Sequence, residues 1–188
     1  EIWIGMAERT GIDELKATTR DIPDYDVLMQ QRLAILRRNG LGLGDIQSVI
    51  SEMTPLDGAL EFLDWLRRHF QVAILSDTFY EFAMPLMRQL GYPTLLCNRL
   101  TTDSDGQIID YVLRQTDQKR QAVRAFHSMN YRVVASGDSY NDTGMLDEAD
   151  SGILFCPPDN VINEFPQYPV TRSYNELRSA FVQAGGFG

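Results

Sequence analysis

Oxygen-bearing side chains follow two apolar segments of this 188-residue chain. Ser76 comes directly after the apolar run 72–75, and Asp138 follows Gly137 at the end of a second run that begins at Val133. The carboxyl ends of parallel strands meet at one edge of a sheet, which is where ligands bind. A serine hydroxyl with neighbouring backbone N–H groups can hold a phosphate oxygen, and an aspartate suits Mg²⁺. The pattern therefore indicates a phosphate group held beside a divalent metal.

The second segment carries more polar side chains than the start of a helix requires. Four oxygen-bearing side chains lie within five residues, at Asp138, Ser139, Asn141 and Asp142. Capping a helix needs only one of them. Taken singly, Ser76 and Asp142 could be helix caps and Asp138 a turn residue, but the joint pattern favours a functional site.

Lys119 is the candidate cation for this site. It begins a predicted helix, where most lysines are simply solvated, but phosphoryl chemistry needs a positive group to neutralise developing charge. The formal net charge of −9 makes such a local cation necessary for any phosphorylated ligand. The same acidic balance disfavours a nucleic-acid partner, because phosphate backbones are held mainly by Lys and Arg.

The chain divides at Pro55 into two predicted parts. Residues 1–54 show helical spacing without strand-like alternation, and they predict an all-helical domain. Residues 55–188 alternate between strands and helices, which predicts an α/β core built on a parallel sheet. We expect helices at 57–69, 80–90, 118–128 and 142–149, strands at 71–75, 94–96, 132–135 and 152–155, a hairpin at 104–106 and two terminal helical segments.

Several other classes of protein are disfavoured. The chain has no apolar run near the roughly 18 residues that span a bilayer, and no Gly-x-x-x-x-Gly-Lys nucleotide loop. A calcium loop at 103–106 has its glycine in the wrong place. Cys97 and Cys156 are too few for a disulfide framework, so we expect two core thiols in a reducing cytoplasm.

The polar segments resemble a known superfamily. Ser76, Lys119 and the segment 137–142 are similar to the second, third and fourth motifs of the haloacid dehalogenase-like phosphatases. The stretches 18–26 and 75–82 resemble, more narrowly, bacterial phosphoserine phosphatases that also transfer phosphate to homoserine. The resemblance implies a Rossmannoid sheet with a small helical cap that closes over the substrate. It also implies a Mg²⁺-dependent aspartyl-phosphate mechanism, phosphoserine as substrate, homoserine as acceptor and a homodimer.

The resemblance assigns roles to the matching residues. Ser76 would hold a phosphate oxygen, Lys119 would neutralise charge, and Asp138 would bind Mg²⁺. Asn141, which we count among the substrate-binding residues, and Asp142, which we count as catalytic, would fix the metal shell.

Recognition of the amino-acid part of the substrate is assigned to other residues. Glu1 falls where these enzymes place a carboxylate that reads the ammonium group of the substrate, and Asp77 joins Ser76 as a substrate-binding residue. An arginine of their cap reads the substrate carboxylate. An ungapped comparison puts Gln30 at that position, so the nearby Arg32 is the candidate.

The first motif of the superfamily, Asp-x-Asp-x-(Thr/Val), has no match in this sequence. That motif ends the first, central strand and supplies the nucleophile. The segment 24–27 follows Ile22-Pro23 rather than an apolar strand, the segment 103–105 follows two threonines, and Asp77 is not expected to substitute. We therefore expect the first strand and the nucleophile to be absent, and the 188 residues alone to be inactive.

Two interpretations of this gap remain open. The first is an N-terminally truncated phosphoserine phosphatase and homoserine phosphotransferase, since the first residue is Glu1 rather than Met. The second is a noncatalytic ligand-binding or regulatory pseudoenzyme of the same fold.

Overall fold

The computed structural model describes residues 2–18, 21–22 and 24–186. They form two compact units, each built from two stretches of chain. The first unit contains Glu1–Leu56 and Val72–Arg114, and the second contains Asp57–Gln71 and Gln115–Gly188. The predicted division into a cap of residues 1–54 and a core of residues 55–188 stays a prediction.

The helices and strands follow the predicted alternation closely. In chain order they are α1 (Ile2–Thr10), a 3-10 helix (Asp13–Lys16), α2 (Tyr25–Arg38), α3 (Leu43–Glu52), α4 (Ala59–His69), β1 (Ala73–Phe79), α5 (Tyr80–Gln89), β2 (Thr94–Thr102), β3 (Ile108–Val112), α6 (Gln118–Ser128), β4 (Val134–Gly137), α7 (Tyr140–Glu148), β5 (Ser151–Phe155), α8 (Asp159–Glu164), β6 (Val170–Thr171) and α9 (Tyr174–Gly185). The predicted all-helical character of the first 54 residues is confirmed wherever the structure describes them.

Side chains near their first turns help to cap helices α2 and α3. The Asp24 side chain accepts a hydrogen bond from the Val27 N–H at 3.1 Å, and α2 ends before Asn39. Gly42 precedes the first turn of α3, and the Asp45 carboxylate reaches back to accept from the Gly42 N–H at 2.8 Å.

The first unit contains a three-stranded sheet in the order β1-β2-β3. Strands β1 and β2 are parallel, and β2 and β3 form the predicted antiparallel hairpin. The Asp103 carboxylate stabilises its turn by accepting hydrogen bonds from the N–H groups of Asp105 and Gln107, at 3.0 and 2.8 Å. This confirms a hairpin rather than a calcium loop.

Strand β1 continues past the point where its sequence pattern ends. We expected the strand to stop at Leu75, but it runs to Phe79 through a wide irregularity. Leu75 is paired with Leu96 and Phe79 with Asn98, so three residues of β1 face one residue of β2. Ser76 therefore lies in a bulge within the strand and not beyond its end. The sequence did not predict this, because a run of hydrophobic residues does not show where a bulge interrupts a strand.

The first unit has its core between the helices and this sheet. Side chains from α1, α2 and α3 pack with Phe79 and Phe82, which directly follow the bulge of β1. Ring contacts tie the two parts together, with Trp3 edge-on to Phe82 at 5.6 Å between centroids. The helices thus hold the segment that leads away from Ser76.

The second unit contains the parallel sheet β4-β5-β6, and the short strand β6 was not foreseen. Helix α9 packs on this sheet through Leu177 and Phe181, which join Trp65 and Ile153 in one apolar cluster. Gly152 on β5 lets the strand approach α7 closely. A Cβ there would lie 2.7 Å from the Leu146 carbonyl oxygen.

The two cysteines differ in environment. Cys97 on β2 is buried, as predicted, but Cys156 is exposed, and that expectation was wrong. The backbone at Cys156 turns into the left-handed region, with φ of 49°, immediately after β5. The thiol therefore leaves the core and donates to the Arg172 carbonyl oxygen at 3.5 Å.

Within the described residues, β1 and β4 each pair with a strand on one side. The expected absence of a central strand that pairs with both stays a prediction. None of the described helices has the length and apolar character that crossing a membrane would require.

The close approach at Gly152 leads to a stability prediction. We expect Gly152→Ala to lower the free energy of unfolding by about 2 kcal/mol, because the added methyl group overlaps backbone. The control is Gly44→Ala in α3, where a Cβ meets open space among the described residues. It should raise stability by about 0.5 kcal/mol through helix propensity. Urea unfolding measures both, and equal effects would contradict the packing argument.

Candidate functional site

A buried ion pair joins α6 to α7 in the second unit. The Lys119 Nζ lies 2.8 Å from Asp142 Oδ1, and the two side chains are only 12% and 9% exposed. Lys119 is the second residue of α6, and Asp142 is the third residue of α7. The structure thus brings together two residues that the sequence placed 23 positions apart.

The second oxygen of Asp142 organises the turn that follows β4. Asp142 Oδ2 accepts hydrogen bonds from the N–H groups of Asp138 and Ser139, at 2.9 and 3.1 Å. It also accepts from the Ser139 hydroxyl at 3.1 Å. Ser139 is the N-cap of α7, and the helix begins at Tyr140, two residues before the predicted start. One carboxylate therefore caps the helix and pairs with Lys119.

Gly137 is required for this arrangement. A Cβ at position 137 would lie 2.4 Å from the Asp142 Cβ, closer than two carbon atoms can pack. Any side chain there would displace the Asp142 carboxylate from its partners.

The pKa values of Asp138 and Asp142 are shifted in opposite directions. Burial alone would raise the pKa of Asp142, but the charge and hydrogen bond of Lys119 and the backbone donors outweigh it and lower that pKa. Partial burial, the charge of Asp142 and a hydrogen bond with its carboxyl raise the pKa of Asp138. Negative charge at Asp138 is thus less well compensated than at Asp142.

The donor chemistry at Asp138 fits a hard divalent cation. The side chain reaches solvent at the carboxyl end of β4, and a cation beside it would offset the repulsion from Asp142. Mg²⁺ typically uses one or two carboxylates and keeps several waters. Over the described residues, no group of three or more His, Cys, Asp or Glu side chains is arranged around a metal position.

Ser76 and Asp77 lie in the bulge of β1, in the first unit. Ser76 is half-buried and Asp77 is exposed. The Ser76 hydroxyl accepts a hydrogen bond from the Thr78 N–H at 3.3 Å. The role of this hydroxyl in binding a phosphate oxygen stays a prediction.

Arg32 is buried on α2, with 8% of its surface exposed. Its guanidinium group lies 4.6 Å from the centre of the Trp3 ring and donates to the Ala17 carbonyl oxygen at 2.7 Å. A guanidinium group over an aromatic ring at this distance makes a cation–π interaction. Glu1, which was predicted to bind the ammonium group of the substrate, lies outside the described residues. Asn141 is exposed in the first turn of α7.

Tyr25 shares its electrostatic surroundings with two of the predicted residues. Burial and the negative charge of Asp77 raise the pKa of Tyr25 to about 12, against the opposing charge of Arg32. The phenol therefore stays protonated at neutral pH and can act as a hydrogen-bond donor.

Asn98 is a polar residue of this region that the sequence interpretation missed. It is 2% exposed on β2, and its side-chain amide donates to the Asp77 carbonyl oxygen at 3.0 Å. The available signal was an asparagine that directly follows the apolar residues 95–97 of the second strand. A buried amide there needs partners, and it marks a local break in the ladder.

Comparison with known proteins agrees with this fold and these motifs. The chain belongs to the haloacid dehalogenase-like hydrolase family, whose model matches residues 8–147. It is 65% identical over 184 residues to a phosphoserine phosphatase of Pseudomonas syringae pv. tomato, covering 98% of this chain and 78% of that protein. It is equally similar to the phosphoserine phosphatase ThrH of Pseudomonas aeruginosa, covering 98% of this chain and 90% of that protein.

A solved structure supports the fold independently. It is described as a phospho-aspartyl intermediate analogue of a phosphoserine phosphatase, with a TM-score of 0.75 and 22% identity. The match covers 96% of this chain and 91% of that one. The α/β haloacid dehalogenase-like fold with its parallel strands and helices is therefore confirmed.

The buried ion pair leads to a second stability prediction. We expect Asp142→Asn to lower the free energy of unfolding by about 3 kcal/mol, because Lys119 is left as a buried charge without its counter-ion. The matched control is Asp64→Asn, which removes an exposed ion pair with Arg67 and should cost less than about 0.5 kcal/mol. Chemical unfolding at pH 7 measures both. Similar losses would contradict the importance of burial at Asp142.

Proposed function

We propose that this protein is a Mg²⁺-dependent phosphoserine phosphatase that also transfers the phosphoryl group to homoserine. The observation that carries the proposal is the buried Lys119–Asp142 pair held against the backbone of Asp138. It provides a fixed cation and a solvent-facing carboxylate at the carboxyl end of one strand. The 65% identity to proteins named phosphoserine phosphatase supports the choice of substrate.

In this mechanism the residues of the site bind the phosphate group or hold the cations beside it. Lys119 neutralises charge on the transferred phosphoryl oxygens, and Asp142 keeps its ammonium group in one position. Ser76 donates a hydrogen bond to a phosphate oxygen. Asp138 would hold Mg²⁺, with Asn141 in the surrounding shell. The metal, when bound, supplies positive charge that polarises the phosphoryl group.

Recognition of the amino acid is proposed for the first unit. The Arg32 guanidinium group, which lies over the Trp3 ring, would bind the substrate carboxylate, and Asp77 would lie beside the phosphate-binding serine. Glu1 would read the ammonium group, and the helices of residues 1–54 would close over the substrate. The homodimer implied by the resemblance and the cytoplasmic location inferred from cysteine usage are proposals of the same kind.

The covalent step requires an aspartate nucleophile. Its carboxylate oxygen attacks phosphorus, the serine oxygen leaves, and water or the homoserine hydroxyl then takes the phosphoryl group. The 188 residues contain no Asp-x-Asp sequence after an apolar strand. We therefore assign this chain the binding of phosphate, charge and metal, and no residue of it the nucleophilic role.

The principal test uses the protein produced from its complete coding sequence. ³¹P NMR with phosphoserine, homoserine and Mg²⁺ should show both inorganic phosphate and phosphohomoserine, and a metal chelator should abolish both. Asp138→Asn should lower turnover by at least about a hundredfold, because the carboxylate that holds the metal is lost. Asp105→Asn, in the exposed hairpin turn, is the control. Near-normal turnover of Asp138→Asn would refute the metal assignment.

A second test addresses the missing nucleophile. Residues 1–188 produced alone should release no phosphate from phosphoserine, because no carboxylate is placed to attack. Measured turnover by these residues would refute that argument. The lack of an Asp-x-Asp motif also favours a noncatalytic binding module as the second candidate. If the complete protein binds phosphoserine without turning it over, that candidate replaces the phosphatase.

A further inference from the structure

The bulge of β1 needs a specific support. Between the pairs Leu75–Leu96 and Phe79–Asn98, residues 76–78 lie outside the regular ladder. Backbone groups that leave a ladder must find other hydrogen-bond partners, because a buried group without one lowers the stability of the fold. A bulge between parallel strands is also uncommon. Two backbone groups of the bulge bond to side chains instead, the Asp77 carbonyl oxygen to Asn98 and the Thr78 N–H to Ser76.

Asn98 bridges the bulge to the end of the hairpin. Its amide nitrogen donates to the Asp77 carbonyl oxygen at 3.0 Å. Its amide oxygen accepts from the Arg114 N–H, also at 3.0 Å. With 2% of its surface exposed, the side chain is shielded from water, so both bonds are costly to lose.

The bond to Asp77 fixes more than one carbonyl group. The carbonyl oxygen of Asp77 and the N–H of Thr78 belong to one planar peptide unit and point in opposite directions. Holding the oxygen therefore also directs the N–H. That N–H donates to the Ser76 hydroxyl, so the orientation passes from Asn98 through one peptide plane to Ser76.

We propose that Asn98 is a positioning residue that orients the Ser76 hydroxyl, through the Thr78 N–H, for binding a phosphate oxygen. Asn98 acts through the bulge and does not itself touch the ligand. The inference rests on the proposed function, because it takes Ser76 as the phosphate-binding serine. It adds that the strength of phosphate binding depends on a buried side chain of the neighbouring strand.

The test compares variants of the protein produced from its complete coding sequence. Asn98→Leu removes both hydrogen bonds without adding charge, and Asn98→Ser, too short to bridge both partners, is a milder second variant. The control is Thr171→Val, which removes another buried bond from a side chain to a backbone carbonyl, from Thr171 Oγ1 to Leu154 at 2.9 Å. Calorimetry with inorganic phosphate and Mg²⁺ gives Kd, phosphoserine turnover gives KM and kcat, and urea unfolding gives stability.

Both Asn98 variants should raise the phosphate Kd, and the phosphoserine KM with it, about tenfold through misorientation of the binding groups. Thr171→Val should leave Kd within about twofold despite a similar loss of stability. In a Ser76→Ala background, Asn98→Leu should add less than about twofold, because coupled residues are not additive. The amide resonance of Thr78 should lose its response to phosphate in Asn98→Leu.

Three results would overturn the proposal. An unchanged Kd in both Asn98 variants removes the positioning role, and so does a full tenfold effect in the Ser76→Ala background. In either case a wild-type protein that hydrolyses phosphoserine leaves the proposed function intact. A wild-type protein that neither binds phosphate nor hydrolyses phosphoserine refutes the proposed function and the role of Asn98 together.

Discussion

The candidate site of the second unit depends on the hydrogen bonds and the ion pair that the Asp142 carboxylate makes. One oxygen holds the Lys119 ammonium group, and the other holds the backbone of Asp138 and Ser139. The Lys119 charge and these donors lower the pKa of the Asp142 carboxyl despite its burial. The backbone of Asp138 and the ammonium group of Lys119 are thus held by one carboxylate, and Gly137 leaves the space for it.

In the first unit, the backbone next to the candidate residue Ser76 is held by neutral groups. Ser76 lies in a bulge, and its neighbours are held by the amide of Asn98 rather than by a charge. The helices of the first 54 residues pack against Phe79 and Phe82, immediately after that bulge. This apolar support helps to fix the orientation of the backbone in the bulge.

Much of this organisation could be predicted from the sequence. The apolar runs before Ser76 and Asp138 indicated strands, and helical spacing indicated the helices around them, because periodicity reports burial directly. The first and last residues of these helices and strands were predicted less accurately. Strand β1 runs four residues beyond Leu75, and α7 starts at Tyr140. A bulge and a serine cap are decided by hydrogen bonds that hydrophobic patterns do not record.

The sequence by itself determined the family, the alternation of strands and helices, and the residue types available for phosphate and metal chemistry. Only the tertiary structure decided that Lys119 and Asp142 form a buried pair and that the Asn98 amide donates to the Asp77 carbonyl oxygen. It also decided that Cys156 is exposed. The physical reason is that local composition fixes propensity and periodicity, whereas a partner distant in the chain is chosen by packing.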